Sequence, residues 1–395
     1  MAVYARILRV PGVAVLIGAT MVTRLPFAIN GLAVVLFLRE TTGSFAVAGL
    51  VAGALALGAA AGAPLAGRLV DRRGARVLMP LAGVHACAVL AIWALGDAGA
   101  APAAIAIPAA LAGASFPPSG ALLRSRFPGL LGDEDLVQGA YALDSVNIEL
   151  SFIGGPLITA LLVALAGPEF ALGVSAVLVI AGTALFLSRL PGDRGPLHPA
   201  ADSGYLGPLG DPAIRMVALT TFPIGFCLGA IEVALPAFSH AENSPALAGV
   251  LLALWSLASG LGGLIYGTRV RGGLVDSFLG IALVFPFACL PMVLAQSPLA
   301  MIPLVVLAGL PIAPLIASRN RLVGELAPAN TGAESFTWLM TALVAGLAVG
   351  NAIGGALAQS EGWEAAVLAG CAVAVLGAAT AYGFRGVLQP RVATG

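Results

Sequence analysis

Apolar runs long enough to cross a lipid bilayer recur along this chain, and no other feature restricts its fold so severely. The hydrocarbon layer is roughly 30 Å thick, and a helix rising about 1.5 Å per residue needs roughly 20 apolar residues to cross it. Twelve such runs are present, centred in residues 11–38, 44–67, 77–96, 100–123, 137–166, 168–188, 213–238, 244–267, 273–295, 297–318, 330–358 and 363–384. Their hydrophobicity is continuous rather than alternating, which predicts helices and argues against a transmembrane barrel. Only Gly167, Pro168 and Glu169 separate the fifth run from the sixth. A mean hydropathy of +1.00 over 395 residues excludes an ordinary water-soluble core. The first run is too long for a signal-peptide core, carries Arg24 and lacks a small-residue cleavage pattern, so it is expected to stay in the mature chain.

Formal net charge is zero, and the 19 basic residues are all Arg. With both termini placed in the cytoplasm, every Arg except Arg24 and Arg39 falls on the cytoplasmic side, and the reverse orientation violates the positive-inside bias. The outer turns then carry Glu40, Asp97, Glu169, Glu242, Glu361 and Glu364. The expected location is the inner or plasma membrane, with many passes. No basic stripe exists beyond the membrane-flanking turns, so no nucleic-acid partner is expected. Cys87, Cys227, Cys289 and Cys371 lack the close pairing of a metal or redox site and read as small buried hydrophobes, so neither metal nor cofactor is expected.

"GRLVDRRGAR", residues 67–76, concentrates charge in the turn after the second run. Retention of the turn by positive charge accounts for its arginines but not for its glycines or Asp71. Gly67, Asp71, Arg72, Gly74 and Arg76 resemble the G-x-x-x-D-R-x-G-x-R signature of the major facilitator superfamily, in the turn where that family carries it. The resemblance implies an all-α membrane protein with 12 transmembrane helices in two pseudo-symmetric six-helix bundles. It further implies that Asp71 meets the start of helix 11 and a cytoplasmic Arg of helix 4, here Arg124 or Arg126, latching the two halves.

The polar, Pro- and Gly-rich segment 189–212 reads as a cytoplasmic linker between an N-terminal bundle, 1–188, and a C-terminal bundle, 213–395. Similar residues recur across the halves: Ser44, Ala48 and Gly62 match Ser244, Ala248 and Gly262, while Pro118, Ser125 and Arg126 match Pro311, Ser318 and Arg319. Proline-interrupted, duplicated spans point to a midplane binding site in secondary transporters, so Pro117, Pro118, Pro311 and Pro314 are read either as flanking a cavity or as ordinary kinks. Gly49, Gly53, Gly58 and Gly62 of helix 2, and Gly346, Gly350 and Gly354 of helix 11, form small faces that allow close approach. The resemblance implies that helices 2 and 11, like 5 and 8, touch across the halves. Gly154, Gly155 and Pro156 look like a shortened form of the Gly-Pro motif of antiporters in this superfamily.

A charge at membrane depth is costly, so each needs a partner or a job. Arg24 and Glu149, at similar depth from their expected helix starts, form a candidate buried pair lining a cavity. Asp144 is either a proton carrier or salt-bridged to Arg124 or Arg126. Glu232 in helix 7 is the other proton-coupling candidate, with a structural hydrogen bond as its competitor. Thr331 and Glu334 have capping-box spacing at the start of helix 11, and His85 reads as a packing residue. Asn30, Tyr141 and Trp338 join Arg24, Glu149 and Glu232 as candidate contacts to a small-molecule substrate.

These readings point to a monomeric secondary transporter that moves a small amphipathic solute by alternating access, with proton-coupled efflux (antiport) as the first expectation. A proton-driven metabolite importer (symport) and a transporter-fold sensor are the alternatives. No Walker turn, no paired Asp-rich motif and no suitably spaced Ser115–His85 dyad supports an enzyme.

Overall fold

In this computed structural model the described residues are 2–43, 45–191, 207–244, 247–269, 273–328 and 330–389; the side chain of Glu149 lies outside them. Most of the 189–212 linker and Ser44 also lie outside the described residues. The described chain is helical throughout, with fifteen α-helices and a few short 3-10 turns. In order they are α1 (Ala2–Arg9), α2 (Val13–Thr42), α3 (Phe45–Arg73), α4 (Leu78–Asp97), α5 (Pro102–Ala114), α6 (Ser119–Leu131), α7 (Glu134–Ala166) and α8 (Pro168–Arg189). Then follow α9 (Pro212–Ala241), α10 (Leu247–Arg269), α11 (Leu274–Cys289), α12 (Pro298–Gly309), α13 (Ile312–Leu326), α14 (Gly332–Ser360) and α15 (Trp363–Gly383).

Among the described residues, 11 helical stretches are long and apolar enough to cross a membrane. The fifth run forms α7, a single 33-residue helix that carries Gln138, Asp144, Ser145 and Asn147 in its earlier turns and the apolar stretch Gly154–Ala166 at its far end. At the far end of α7 the chain reverses on Gly167 alone, whose φ of 90° a side chain would strain, and Pro168 opens α8 at once.

Two spans are broken where proline density predicts it. Pro117 and Pro118 supply no backbone N–H, so α5 stops at Ala114 and α6 resumes at Ser119. Pro311 likewise separates α12 from α13, while Pro314 sits without disruption in the first turn of α13. Pro156 is absorbed into α7, which runs on through it.

The short helix α1 is an element the hydropathy reading did not anticipate. Tyr4 and Ile7 are buried on one face while Arg6 stays exposed, and eight residues are too few to register as a span. Asp133 caps the start of α7 by accepting from the backbone N–H groups of Asp135 and Leu136, and Arg6 of α1 pairs with it at 3.1 Å. The Leu136 N–H bond, then the Arg6 side chain, hold the Asp133 carboxyl below its ordinary value of 3.8.

The glycine faces pack locally. Gly346, Gly350 and Gly354 lie against Phe222, Phe226 and Ala230 of α9, and Gly58 and Gly62 lie against Ala110 and Ala114 of α5. Helices therefore approach to backbone contact, α14 on α9 and α3 on α5, rather than along the line where α3 meets α14. Among the described glycines of these faces, Gly67 belongs to that meeting, with Thr337, Glu334 and Ala333 against it.

Candidate functional site

Four arginine-bearing segments, α1 and the later turns of α3, α6 and α13, lie at one end of the molecule, hereafter the arginine end. There α3 meets α14 and α7 meets α10 and α13. The first four N–H groups of a helix need acceptors from outside it, and the N-cap residue of α14, Thr331, gives no side-chain hydrogen bond. Asp71 of α3 fills that role, its Oδ1 accepting from Ala333 N at 3.0 Å and its Oδ2 from Glu334 N at 2.7 Å. A carboxylate at the positive end of α14 is favourable twice over, as hydrogen-bond acceptor and as charge. Glu334 does not complete a capping box. Its carboxylate instead accepts from Arg68 of α3 at 2.6 Å and from Trp338 Nε1 at 3.4 Å, because the cap position is already taken by Asp71. Gly67 gives α14 room to approach, Gly74 supplies a φ of 76° in the turn, and Arg72 stands exposed.

The same end is sealed at a second place by α1, α7, α10 and α13. Tyr4 donates to the Leu264 carbonyl at 2.6 Å, Gln138 donates to the Tyr266 carbonyl, and Arg321 donates to Gln138 at 2.6 Å. Tyr141 is fully buried, donating to the Arg124 carbonyl at 3.1 Å while its ring meets Phe127 and Phe336. It is therefore part of the seal, with its hydroxyl bonded to backbone, and is absent from the cavity wall described below.

Beyond the seal lies a cavity of about 190 Å³ between α2, α3, α5, α6, α7 and α14. The α5–α6 break forms one wall through Phe116, Pro117, Pro118 and Ser119, and Phe27 stacks on Phe116 with ring centroids 5.5 Å apart. Ile148 and Ser151 come from α7, and Thr337, Met340, Thr341 and Val344 form a stripe at helical spacing on α14. These α14 residues escaped the sequence reading because a Thr/Met/Val stripe looks like ordinary helix surface until its facing partners are known. The lining is mainly apolar, and its charged members are two guanidiniums, Arg24 and Arg124.

Both guanidiniums grip one carboxylate. Arg24 Nη2 lies 2.7 Å from Asp144 Oδ1, and Arg124 Nη1 lies 2.9 Å from Asp144 Oδ2. Arg24 thus meets Asp144, a carboxylate that the sequence reading does not pair with it, and of the two readings of Asp144 the salt bridge to Arg124 is the one seen; the side chain of Glu149 lies outside the described residues. The physical reason is register: α7 starts at Glu134, so Asp144 is ten residues into its helix and Arg24 eleven into α2, equal depths of roughly 15 to 16 Å at 1.5 Å per residue. Glycine completes the seat, since a side chain at Gly120 would collide with the Arg24 guanidinium. Arg124 also lies 5.2 Å over the Phe336 ring, so it is held by Asp144 and Phe336. Asp144 itself is sealed behind the arginines with 1% of its side chain exposed.

Other expected contacts lie elsewhere. Asn30 is buried against α4 and α8, accepting from Ser175 and bonded to His85 Nε2 at 3.2 Å, so it does not face the cavity. His85 in turn lies 2.7 Å from the Ala112 carbonyl. That carbonyl has lost its helical donor to the break, because Phe116 N donates to Gly113 instead. Glu232 hydrogen-bonds Asn351 of α14 and is absent from the cavity wall. Trp338 faces Glu334, also away from the wall. Gly155 lets α7 approach Ala28 of α2, with Gly154 near Leu25.

Residues 16–271 match the family model of the Major Facilitator Superfamily. The chain belongs to that superfamily. A major facilitator protein of Sinorhizobium fredii, the uncharacterised MFS-type transporter y4rN, is 29% identical over 276 residues, covering 67% of this chain and 68% of its own. Among solved structures, an outward-facing bacterial homologue of the iron transporter ferroportin superposes with a TM-score of 0.78 at 15% identity, covering 94% of this chain and 99% of that one. The human organic anion transporter MFSD10 (TETRAN) gives 0.74 at 19% identity, covering 95% and 98%. The fucose:proton symporter FucP of E. coli gives 0.70 at 14% identity, covering 93% and 97%. The chain is accordingly a multi-pass membrane transporter of the major facilitator fold and not an enzyme.

Proposed function

We propose that this protein is a proton-coupled secondary transporter of small amphipathic solutes that works by alternating access, with twelve crossings in two six-helix bundles, 1–188 and 213–395, joined by a cytoplasmic linker. The arginine end is the cytoplasmic end, and the conformation is the one closed on that side. The observation that carries this reading is the cap supplied to α14 by Asp71 of α3. It is a bond between separate elements, complete when they meet and lost when they part, which is what a two-state gate requires. The apolar cavity beside it suits an amphipathic solute better than a sugar, whose many hydroxyls need matching polar groups.

Asp144 is the group best placed to carry the proton, because it is the carboxylate bonded to both cavity arginines. Two senses of coupling follow from the sequence. Antiport, and with it export, requires proton and solute to compete for one group. Symport requires each to favour the other, and the presentation of guanidiniums rather than a carboxylate to the cavity supports it. The test is a thermal-shift screen of purified protein, followed by flux of the hits in proteoliposomes under an imposed pH gradient. Gradient-driven flux that Asp144→Asn uncouples is the expected result; flux indifferent to both the gradient and Asp144→Asn refutes proton coupling at this residue.

A further inference from the structure

We infer that the solute of this cavity is an amphipathic anion whose carboxylate, or an equivalent acidic group, docks on Arg24 and Arg124 by displacing Asp144. This rests on the transporter reading above and adds the substrate class and the sense of coupling.

Three observations carry it. Among the described residues the cluster holds more positive than negative charge. Arg24 of α2, Arg124 of α6 and, behind Arg124, Arg319 of α13 gather around the single carboxylate of Asp144 on α7. Arg319 is 4% exposed, its Nη2 donating only to neighbouring Asn320 and its Nε lacking any partner. Buried guanidiniums in excess of carboxylates are unfavourable at membrane depth, and an anion relieves them.

Next, the two forks have donor capacity that Asp144 does not use. Nη1 and Nη2 of Arg24 and Nε of Arg124 are buried without a well-aligned hydrogen bond, although Arg24 and Arg124 both line the cavity. The planar fork of an arginine is built to take two oxygens of a carboxylate or phosphate at once. Asp144 engages each fork through one nitrogen only. Finally, the remaining wall fits the rest of an amphipath: Phe27, Phe116, Ile148, Met340 and Val344 are apolar, and Ser119, Ser151, Thr337 and Thr341 are its small polar groups.

Coupling follows from the geometry. Among the described residues the groups facing Asp144 are Arg24 and Arg124, with Tyr141 one turn away on its own helix and committed to the Arg124 carbonyl. When a solute anion takes the forks, Asp144 loses its counter-charges and binds a proton from bulk solvent. When a proton neutralises Asp144 first, the forks are released for the anion. By reciprocity each ligand strengthens binding of the other, so proton and anion cross together.

The experiment uses full-length protein in detergent and three probes of one shape: 4-phenylbutyrate, 4-phenylbutanol and 4-phenylbutylamine. Calorimetric titration should rank the carboxylate first by roughly tenfold to a hundredfold, the span of one or two charge-assisted hydrogen bonds. Arg24→Gln should abolish the preference, and Arg24→Lys should keep part of it because the charge remains. A pH indicator in weakly buffered solution should report proton uptake when wild-type protein binds 4-phenylbutyrate, and none on binding the alcohol. Equal affinity for the three probes, preference for the amine, no binding of the carboxylate, or a preference that survives Arg24→Gln overturns the anion seat. Proton release on binding overturns the symport sense. If wild-type protein still drives flux of screened solutes under a pH gradient while these binding results fail, only this inference falls; absence of any gradient-driven flux removes the transporter reading beneath it.

Discussion

Replacing Asp71 by alanine should open the arginine end by a calculable amount. The native carboxylate satisfies two N–H groups at the start of α14, Ala333 at 3.0 Å and Glu334 at 2.7 Å, with one oxygen each. Loss of an N-cap costs about 0.5–2 kcal/mol, and loss of a negative charge at a helix N-terminus about 0.3–1 kcal/mol more. Because the bonds join α3 to α14, nearly all of this falls on the equilibrium between closed and open ends rather than on global stability. A total of about 1–3 kcal/mol shifts that equilibrium roughly fivefold to a hundredfold. Asp71→Asn keeps one acceptor oxygen and loses the charge, so it should fall between wild type and Asp71→Ala. Spin labels at the exposed positions Arg73 and Glu325, read by pulsed electron resonance, report the separation of the two sides. A distance distribution for Asp71→Ala that matches wild type refutes the gate, since the cap would then be ornamental to the conformational balance. The Arg68–Glu334 pair, at 2.6 Å, also joins α3 to α14 and is available in both variants, so the difference between variant and wild type reads the cap alone.

Other expectations are independent of the gate. An alanine at Gly58 collides with the Ala110 carbonyl and should destabilise by about 1–3 kcal/mol, as overpacking does, whereas Gly53→Ala meets nothing within 4 Å and should be neutral or slightly stabilising; thermal melts in detergent compare them. His85→Phe removes the bonds of the histidine to the Ala112 carbonyl and to Asn30 Nδ2, both buried, and should cost about 1–3 kcal/mol in the same melts, and an unchanged melt refutes the role given to the histidine. The Asp133 carboxyl is held below its ordinary 3.8, chiefly by the Leu136 N–H, so its contribution is present above the unfolded value and lost as pH falls through the folded one. The difference in melting temperature between wild type and Asp133→Ala should accordingly be present at neutral pH and shrink as the solution is acidified below 3.8 and through the lowered folded value; a difference unchanged by acid contradicts the charge-based cap.

The long apolar runs, the punctuation at Gly167 and Pro168, the breaks at Pro117–Pro118 and Pro311, and the signature at 67–76 were all legible without coordinates. Each depends on the solvent preference or backbone limits of neighbouring residues, and those act locally whatever the helices pack against. The Asp71 cap was legible for another reason, because the signature carries its own partner.

Pairings across helices were not legible. Whether Arg24 meets Asp144 or Glu149 depends on where α7 begins, and a shift of three residues in that start displaces every side chain along it by roughly 4.5 Å and turns it to a new bearing. The same dependence sent Asn30 toward His85, Glu232 toward Asn351, and the glycines of α14 against α9. Hydropathy determines that a helix crosses; its rotation about its own axis and its depth are settled only by packing against neighbours. A site built from six helices therefore exists only once all six are in place.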